Sequence, residues 1–412
     1  MAEARAWREV RIDRDALARI GAVWAEPPSD DTIPHDALTR LRHLALEALR
    51  QERPRSVLLV GEPGVGKSTL IRAIAGQLYA EGWTIFEAGA MEVVAGQMYI
   101  GQLEERMQEL IRNLAGRRRV LWMVGNAHDL IFAGWHRDNP RSVLDMIAPY
   151  IEKGDITVIG EVEPAAYERI VQVRPHLRAG LKTVTVDPLD DAGTLALARA
   201  WCVKRNAALS DYALQEAFQM ARNYLDRSAA PGHLLAFLHL ALAAHAATGR
   251  TDPPAVDDMI ATLSDLTGLP VSLLNDRDRL DLGALRETFE KSVLGQPEAV
   301  DCLVERVAML KAGLCDPTRP AGVFLFVGPT GTGKTEIAKT LATFLFGAPE
   351  RMIRLDMSEF MTEDSLLRLL GEAERGSDAV ALVNQIRKQP FSVVLLDEFE
   401  KAHPSVWDLF LQ

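Results

Sequence analysis

Val57-Leu58-Leu59-Val60 runs straight into Gly61-Glu62-Pro63-Gly64-Val65-Gly66-Lys67-Ser68-Thr69, and then into the helical pattern TLIRAIAGQLYA. A short apolar run, a glycine turn and a helix start are the context in which G-x-x-x-x-G-K-[ST] forms a phosphate cradle. The order returns further on. Val323-Phe324-Leu325-Phe326-Val327 leads into Gly328-Pro329-Thr330-Gly331-Thr332-Gly333-Lys334-Thr335, followed by TEIAKTLATFLF. Continuous apolar runs of this length suit strands buried in a parallel sheet. The reading is therefore an α/β fold with two phosphate-loop modules, each a parallel sheet flanked by helices.

The residue types fix the expected chemistry. Glycines let the backbone curl so that its N–H groups face the phosphates, and the helix dipole adds partial positive charge there. Lys67 and Lys334 are expected to reach the β- and γ-phosphates, and Ser68 and Thr335 to offer hydroxyls to Mg²⁺. ATP and Mg²⁺ are the implied ligands. A chance glycine turn does not explain two loops in matching contexts.

The two modules part company downstream of their loops. FSVVLLDEFEKAHP places Asp397-Glu398 at the end of an apolar strand, Val393 to Leu396. Asp397 is expected to hold Mg²⁺ and Glu398 to orient and polarise the attacking water. In the first module the corresponding strand, Val120 to Val124, ends on Gly125-Asn126. Glycine offers no metal ligand, and an amide is no base. The first module is expected to bind nucleotide with little or no hydrolysis.

These segments resemble the Clp family of double-ring AAA+ ATPases. VLGQPEAV (293–300), LFVGPTGTGKTEIAKTLA (325–342), IRLDMSEF (353–360) and VVLLDEFEKAHP (393–404) stand in the family's order and spacing. More weakly, AGQMYIGQLEERMQEL (95–110) is similar to its pore loop and following helix, MVGNAHDL (123–130) to its acidic segment, ITVIGEVEPAAYERI (156–170) to its sensor strand, and NYLDRSAAPGHLLAFL (223–238) to its lid. The resemblance implies a homo-hexameric ring that binds ATP between subunits and acts on protein substrates. It makes Tyr99 and Ile100 the substrate-gripping pore residues. It leaves any peptidase or adaptor open.

The chain departs from the family in four places. The acidic pair of the first module is missing. Its arginine-finger segment reads LRAGL, with Ala179 and Gly180 in place of two arginines and Arg178 offset by one. The second pore loop, GEAERGSDAVA (371–381), has no aromatic residue. The second module's sensor strand, finger and lid are expected past Gln412, so the sequence reads as a fragment with that module incomplete.

Punctuation sets the expected organisation. Residues 1–33 form a short extension, 34–187 the first α/β subdomain, 188–270 an Ala- and Leu-rich helical lid, 271–283 a linker and 284–412 the second α/β subdomain. The 412 residues are 48% hydrophobic and 25% charged, enough for more than one core. A net charge of −11 and only a short basic run, Arg117 to Arg119, argue against a nucleic-acid motor. Cys202, Cys302 and Cys315 match neither a zinc site nor a disulfide framework. The apolar stretch Leu234 to Ala247 is too short to span a membrane and reads as a buried helix; its histidines, with His233, read as structural. No targeting signal stands out, and the expected location is the cytoplasm. The expected function is ATP-driven remodelling or unfolding of proteins. The alternative is a nucleotide-gated assembly or regulatory scaffold that threads nothing.

Overall fold

A computed structural model describes residues 12–28, 32–96, 100–135, 141–225, 229–275, 281–312, 319–329, 331–362, 365, 369 and 382–411. The chain divides into two units, Met1–His239 and Leu240–Gln412. The division runs through helix α11 (Gly232–Ala247), inside the segment expected to form the lid.

The first unit is built on β1 (Ala22–Val23), β2 (Ser56–Val60), β3 (Thr84–Glu87), β4 (Val120–Asn126), β5 (Val158–Val162) and β6 (Leu181–Thr185). They lie in the order β1-β3-β4-β5-β2-β6, all parallel except β1. Period-two alternation sends successive side chains to opposite faces. Val57, Leu59, Leu121, Met123 and Ile159 pack with α2 (Asp36–Leu49) and α3 (Lys67–Ala80). Leu58, Val60, Trp122, Val124 and Val158 pack with α5 (Ile100–Leu114) and α6 (Val143–Glu152). Trp122 is fully buried, and its indole N–H donates to the Ala88 carbonyl at 3.0 Å, so burial leaves no polar atom stranded. Residues expected in the short extension belong to this sheet instead. Strand β1 pairs antiparallel with the edge strand β3, and Leu17, Ile20 and Trp24 are buried beside it. An otherwise open sheet edge gains a partner for its backbone groups.

Beyond β6, side-chain caps start α9 (Asp191–Lys204) and α10 (Asp211–Tyr224). Asp190 accepts from the Gly193 N–H at 2.8 Å, and Ser210 from the Ala213 N–H at 3.1 Å. Helix α11 begins with Leu234, Phe237 and Leu238 buried.

In the second unit, His245, at the end of α11, faces Asp258 at 3.2 Å and meets the Asp252 carbonyl at 2.8 Å, a structural use of that histidine. Helices α14 (Leu282–Ser292), α15 (Pro297–Lys311) and α16 (Lys334–Phe346) form one core around Leu285, Phe289, Leu303 and Ile337. Strands β7 (Met352–Asp356) and β8 (Val393–Asp397) pair in parallel, with Asp356 opposite Asp397. The expected strand Val323–Val327 carries no ladder. Phe324 and Phe326 pack on the helical core and stack at 6.2 Å, while Val323, Leu325 and Val327 are 80–86% exposed. The physical reason lies in strand order. In the first unit the equivalent β2 sits between β5 and β6, whereas the strands described in the second unit are β7 and β8 alone. A strand without neighbours keeps its alternation but not its hydrogen bonds.

No helix among the described residues is long and apolar enough to cross a membrane.

Candidate functional site

The first loop leaves β2 at Val60, pinned by Gly61 N–H to Val162 O at 3.2 Å and by Val186 N–H to Val60 O at 2.8 Å. Gly64 and Gly66 take φ of 92° and 95°. Gly66 precedes α3 with no side-chain cap, which leaves the first amides of the helix free for an anion. The same construction recurs at the second loop. Gly331 and Gly333 take φ of 87° and 90°, and Gly333 precedes α16 without a side-chain cap. Both cradles fit a nucleotide phosphate.

The two lysines sit alike but in different surroundings. Lys67, only 8% exposed, donates to the carbonyls of Gly61 at 2.7 Å and Glu62 at 2.8 Å. Burial pushes its pKa down, and the charges of Glu161, Glu163 and Glu62 recover only part of that shift. Lys334 donates to Gly328 O at 2.5 Å and Pro329 O at 2.8 Å in a more open setting. Thr332 Oγ1 braces the second loop from Pro329 O at 3.0 Å. Thr330 lies outside the described residues.

Asp397 and Glu398 stand at the C-terminal end of β8, and α16 packs against that strand. Asp397 accepts from Arg354 at 2.6 Å; Glu398, at φ 53°, pairs with Lys401 at 2.6 Å. Among the described residues no hydrogen bond or ion pair joins either carboxylate to Lys334 or Thr335.

At the matching end of β4, Gly125 is a bulge: register passes from Val124 opposite Gly160 to Asn126 opposite Glu161. A Cβ placed on Gly125 would meet nothing within 4 Å. Asn126 is occupied otherwise. Its Oδ1 accepts from the His128 N–H at 3.3 Å and its Nδ2 donates to Asp129 at 3.1 Å, capping the turn Ala127–Ile131.

Two features at the first loop escape a reading by motif. Ser68 Oγ lies 2.9 Å from each carboxylate oxygen of Glu161, a β5 residue. The start of α11 is tied to the loop itself: Gly232 N–H donates to Gly64 O at 3.0 Å, and Ala229 N–H to Pro63 O at 2.6 Å. A Cβ on Gly232 would lie 2.5 Å from both Gly64 Cα and Gly64 O, so only glycine allows this approach. The family-like segment 223–238 pointed to the helix, but not to this contact.

Of the expected pore residues, Tyr99 lies outside the described residues and Ile100 opens α5. Residues 371–381 are also outside. The LRAGL segment forms the short helix α8 (Leu177–Gly180) and enters β6. A Cβ on Gly180 would stand 2.6 Å from Ile151 O and 2.8 Å from Glu152 Cα. An arginine cannot be accommodated there without moving the end of α6.

Comparisons with known proteins place the chain among AAA ATPases. Residues 35–256 match the family described as AAA ATPase domain, and residues 319–412 that described as AAA domain (Cdc48 subfamily). The chain is 28% identical over 434 residues to the ATP-dependent Clp protease ATP-binding subunit ClpE of Lactococcus lactis, covering 89% of this chain and 58% of that one. It is 27% identical over 475 residues to the ClpC subunit of Staphylococcus aureus, covering 97% of this chain and 57% of that one. It therefore spans less than two thirds of these relatives. Among solved structures, a closed-state reconstruction of Hsp104 with ATPγS and FITC-casein aligns with a TM-score of 0.70 at 27% identity, covering 92% of this chain and 67% of that one. The Hsp104:casein complex of S. cerevisiae in its extended conformation gives 0.67 at 28% identity, covering 91% and 66%.

Proposed function

This chain belongs to the AAA ATPase family, and from that premise we propose that it is a Clp-type double-ring member that works in ATP-driven remodelling of proteins, with hydrolysis in the second module and nucleotide binding with little turnover in the first. One observation carries this division. Strand β8 ends on two carboxylates, whereas β4 ends on a bulged glycine and an asparagine spent on a turn.

In the second module the glycine cradle and Lys334 hold the phosphates, while Thr335 and Asp397 are the residues to hold Mg²⁺. Held there, Mg²⁺ would supply charge neutralisation for the phosphoryl oxygens. Glu398 orients the attacking water and takes up its proton, which requires release from Lys401. In the first module Lys67 and the uncapped amides of α3 bind phosphate with no base at the end of β4. The Hsp104 structures with casein support a protein substrate; a homo-hexamer, with Tyr99 and Ile100 as its grip, is what the family resemblance implies. The absence of an aromatic residue from 371–381 favours a second reading, a nucleotide-gated scaffold that threads nothing.

Steady-state ATP hydrolysis by the intact protein tests the division. Glu398→Gln is expected to abolish turnover, by ~10²-fold or more, and Lys67→Ala to weaken assembly while sparing most turnover. Substantial hydrolysis by Glu398→Gln would place the activity in the first module. Nucleotide-dependent unfolding of a tagged model substrate separates remodelling from scaffolding.

A further inference from the structure

We propose that Glu161, on β5, stands in for the missing β4 carboxylate as the magnesium-holding acid of the first nucleotide site. The inference rests on reading the first loop as a nucleotide site. It adds a metal ligand from a strand where the motif places none.

Strand order makes the substitution possible. Strand β5 lies between the loop strand β2 and the carboxylate-deficient strand β4, so its end is one strand nearer the loop than Asn126. Leu59 pairs with Glu161 two residues before the loop begins. Ile159 packs with the α3 side of the sheet, and alternation puts Glu161 on the same face, toward the start of α3. The carboxylate then meets the hydroxyl that motif chemistry assigns to the metal, with both its oxygens 2.9 Å from Ser68 Oγ.

That separation is an ordinary hydrogen-bond length, and it is also compatible with shared metal ligation. Ligands at right angles on a magnesium ion, each ~2.0–2.1 Å away, stand roughly 2.9 Å apart. Ser68 Oγ and one Glu161 oxygen are thus already spaced as neighbouring corners of such an octahedron. Gly125 and Asn126 offer no competitor: the first has no side chain, and the second is held by His128 and Asp129. Without a cation, the Glu161 charge beside Lys67 and Ser68 opposes an incoming phosphate. The site should therefore depend strongly on the divalent ion.

The test uses the intact protein carrying Lys334→Ala, which silences the second loop. Binding of a fluorescent ATP analogue is monitored by anisotropy with Mg²⁺ and with EDTA. Mn²⁺ replacing Mg²⁺ gives an independent signal by electron paramagnetic resonance. The Lys334→Ala protein should bind about 10–100-fold more tightly with the ion. Adding Glu161→Gln should remove most of that gain while leaving ion-free binding equal or tighter. Ser68→Ala should remove the same gain, and Glu163→Gln, an equal charge change two residues on, should keep it.

If Glu161→Gln leaves the gain intact, or tightens binding with Mg²⁺ present, Glu161 is a bystander or a block and the inference falls. An equal loss from Glu163→Gln would reduce the effect to general electrostatics and overturn it as well. Absence of any nucleotide binding by the Lys334→Ala protein would instead overturn the binding role of the first module, and the inference with it.

Discussion

Replacing Gly232 by alanine adds one methyl group, and the structure gives that methyl nowhere to go. Its carbon would lie 2.5 Å from Gly64 Cα and Gly64 O and 2.9 Å from Gly64 C, all backbone atoms. Ordinary carbon contacts are ~3.5–4.0 Å, so α11 and the loop must separate by about 1 Å. That movement stretches the bonds from Gly232 to Gly64 and from Ala229 to Pro63. Two hydrogen bonds at ~0.5–1.5 kcal/mol each, with ~1–3 kcal/mol of overpacking strain, give a loss of about 2–6 kcal/mol. The unfolding transition of the first unit in urea measures the loss, and nucleotide binding in a Lys334→Ala background reports the displaced loop. Gly76→Ala is the control. A Cβ at Gly76, inside α3, meets nothing within 4 Å, so the same substitution should stabilise by ~0.5–1 kcal/mol through helix propensity. If Gly232→Ala unfolds and binds nucleotide as the parent does, the lid does not hold the loop and the reasoning fails.

Local contacts lead to two further outcomes. Asp145 closes a capping box with Ser142 and pairs with Arg174. Burial alone would raise its carboxyl pKa, but the Ser142 N–H and hydroxyl and the Arg174 charge outweigh it and hold the pKa below the usual range. Its folded pKa is thus lower than its unfolded value of ~3.9, so its stabilisation is complete above that pH and fades as pH falls through the folded value. Asp145→Asn should cost about 1–2 kcal/mol at neutral pH, with the gap closing in parallel melts as pH falls below the unfolded carboxyl value of ~3.9; a gap that persists in acid counts against the argument. Gly180→Arg should destabilise the first unit by at least ~1–3 kcal/mol and restore no hydrolysis, because its side chain must displace the end of α6. A stable variant with increased ATP turnover would show that the finger position is still usable.

Local chemistry made the cradles legible. Gly66-Lys67-Ser68 and Gly333-Lys334-Thr335 are contiguous, and the strand before Asp397-Glu398 announces itself by four apolar residues. The helices of residues 188–270 were equally plain from alanine and leucine spacing. What sequence order hid is adjacency. Glu161 is 93 residues from Ser68, and only the position of β5 beside β2 brings them together. Gly232 looks like an ordinary helix start until Gly64 is placed against it. Ala22–Val23 is too short to show a strand pattern, and it pairs because β3 has a free edge. Val323–Val327 failed in the opposite sense. Its continuous apolar run suits a strand, but pairing belongs to neighbours that a local pattern does not contain.

The two loops share a backbone plan yet differ in what surrounds it. Lys67 is buried, its carbonyl partners are supplemented by Glu161, Glu163 and Glu62, and the start of α11 hydrogen-bonds to the loop. Electrostatic interactions strengthen as water is excluded, so the buried Lys67 charge matters more than its equivalent on an open surface. On the proposed division, the first loop retains its nucleotide because the end of β4 offers no carboxylate. At the second loop Lys334 is less enclosed, and each carboxylate of the acidic pair is engaged by a cation, Arg354 or Lys401. Those pairs have to be exchanged for metal and water before the acids can act. The division proposed above therefore predicts a retained ligand at the first loop and a repeated cycle of engagement and release at the second.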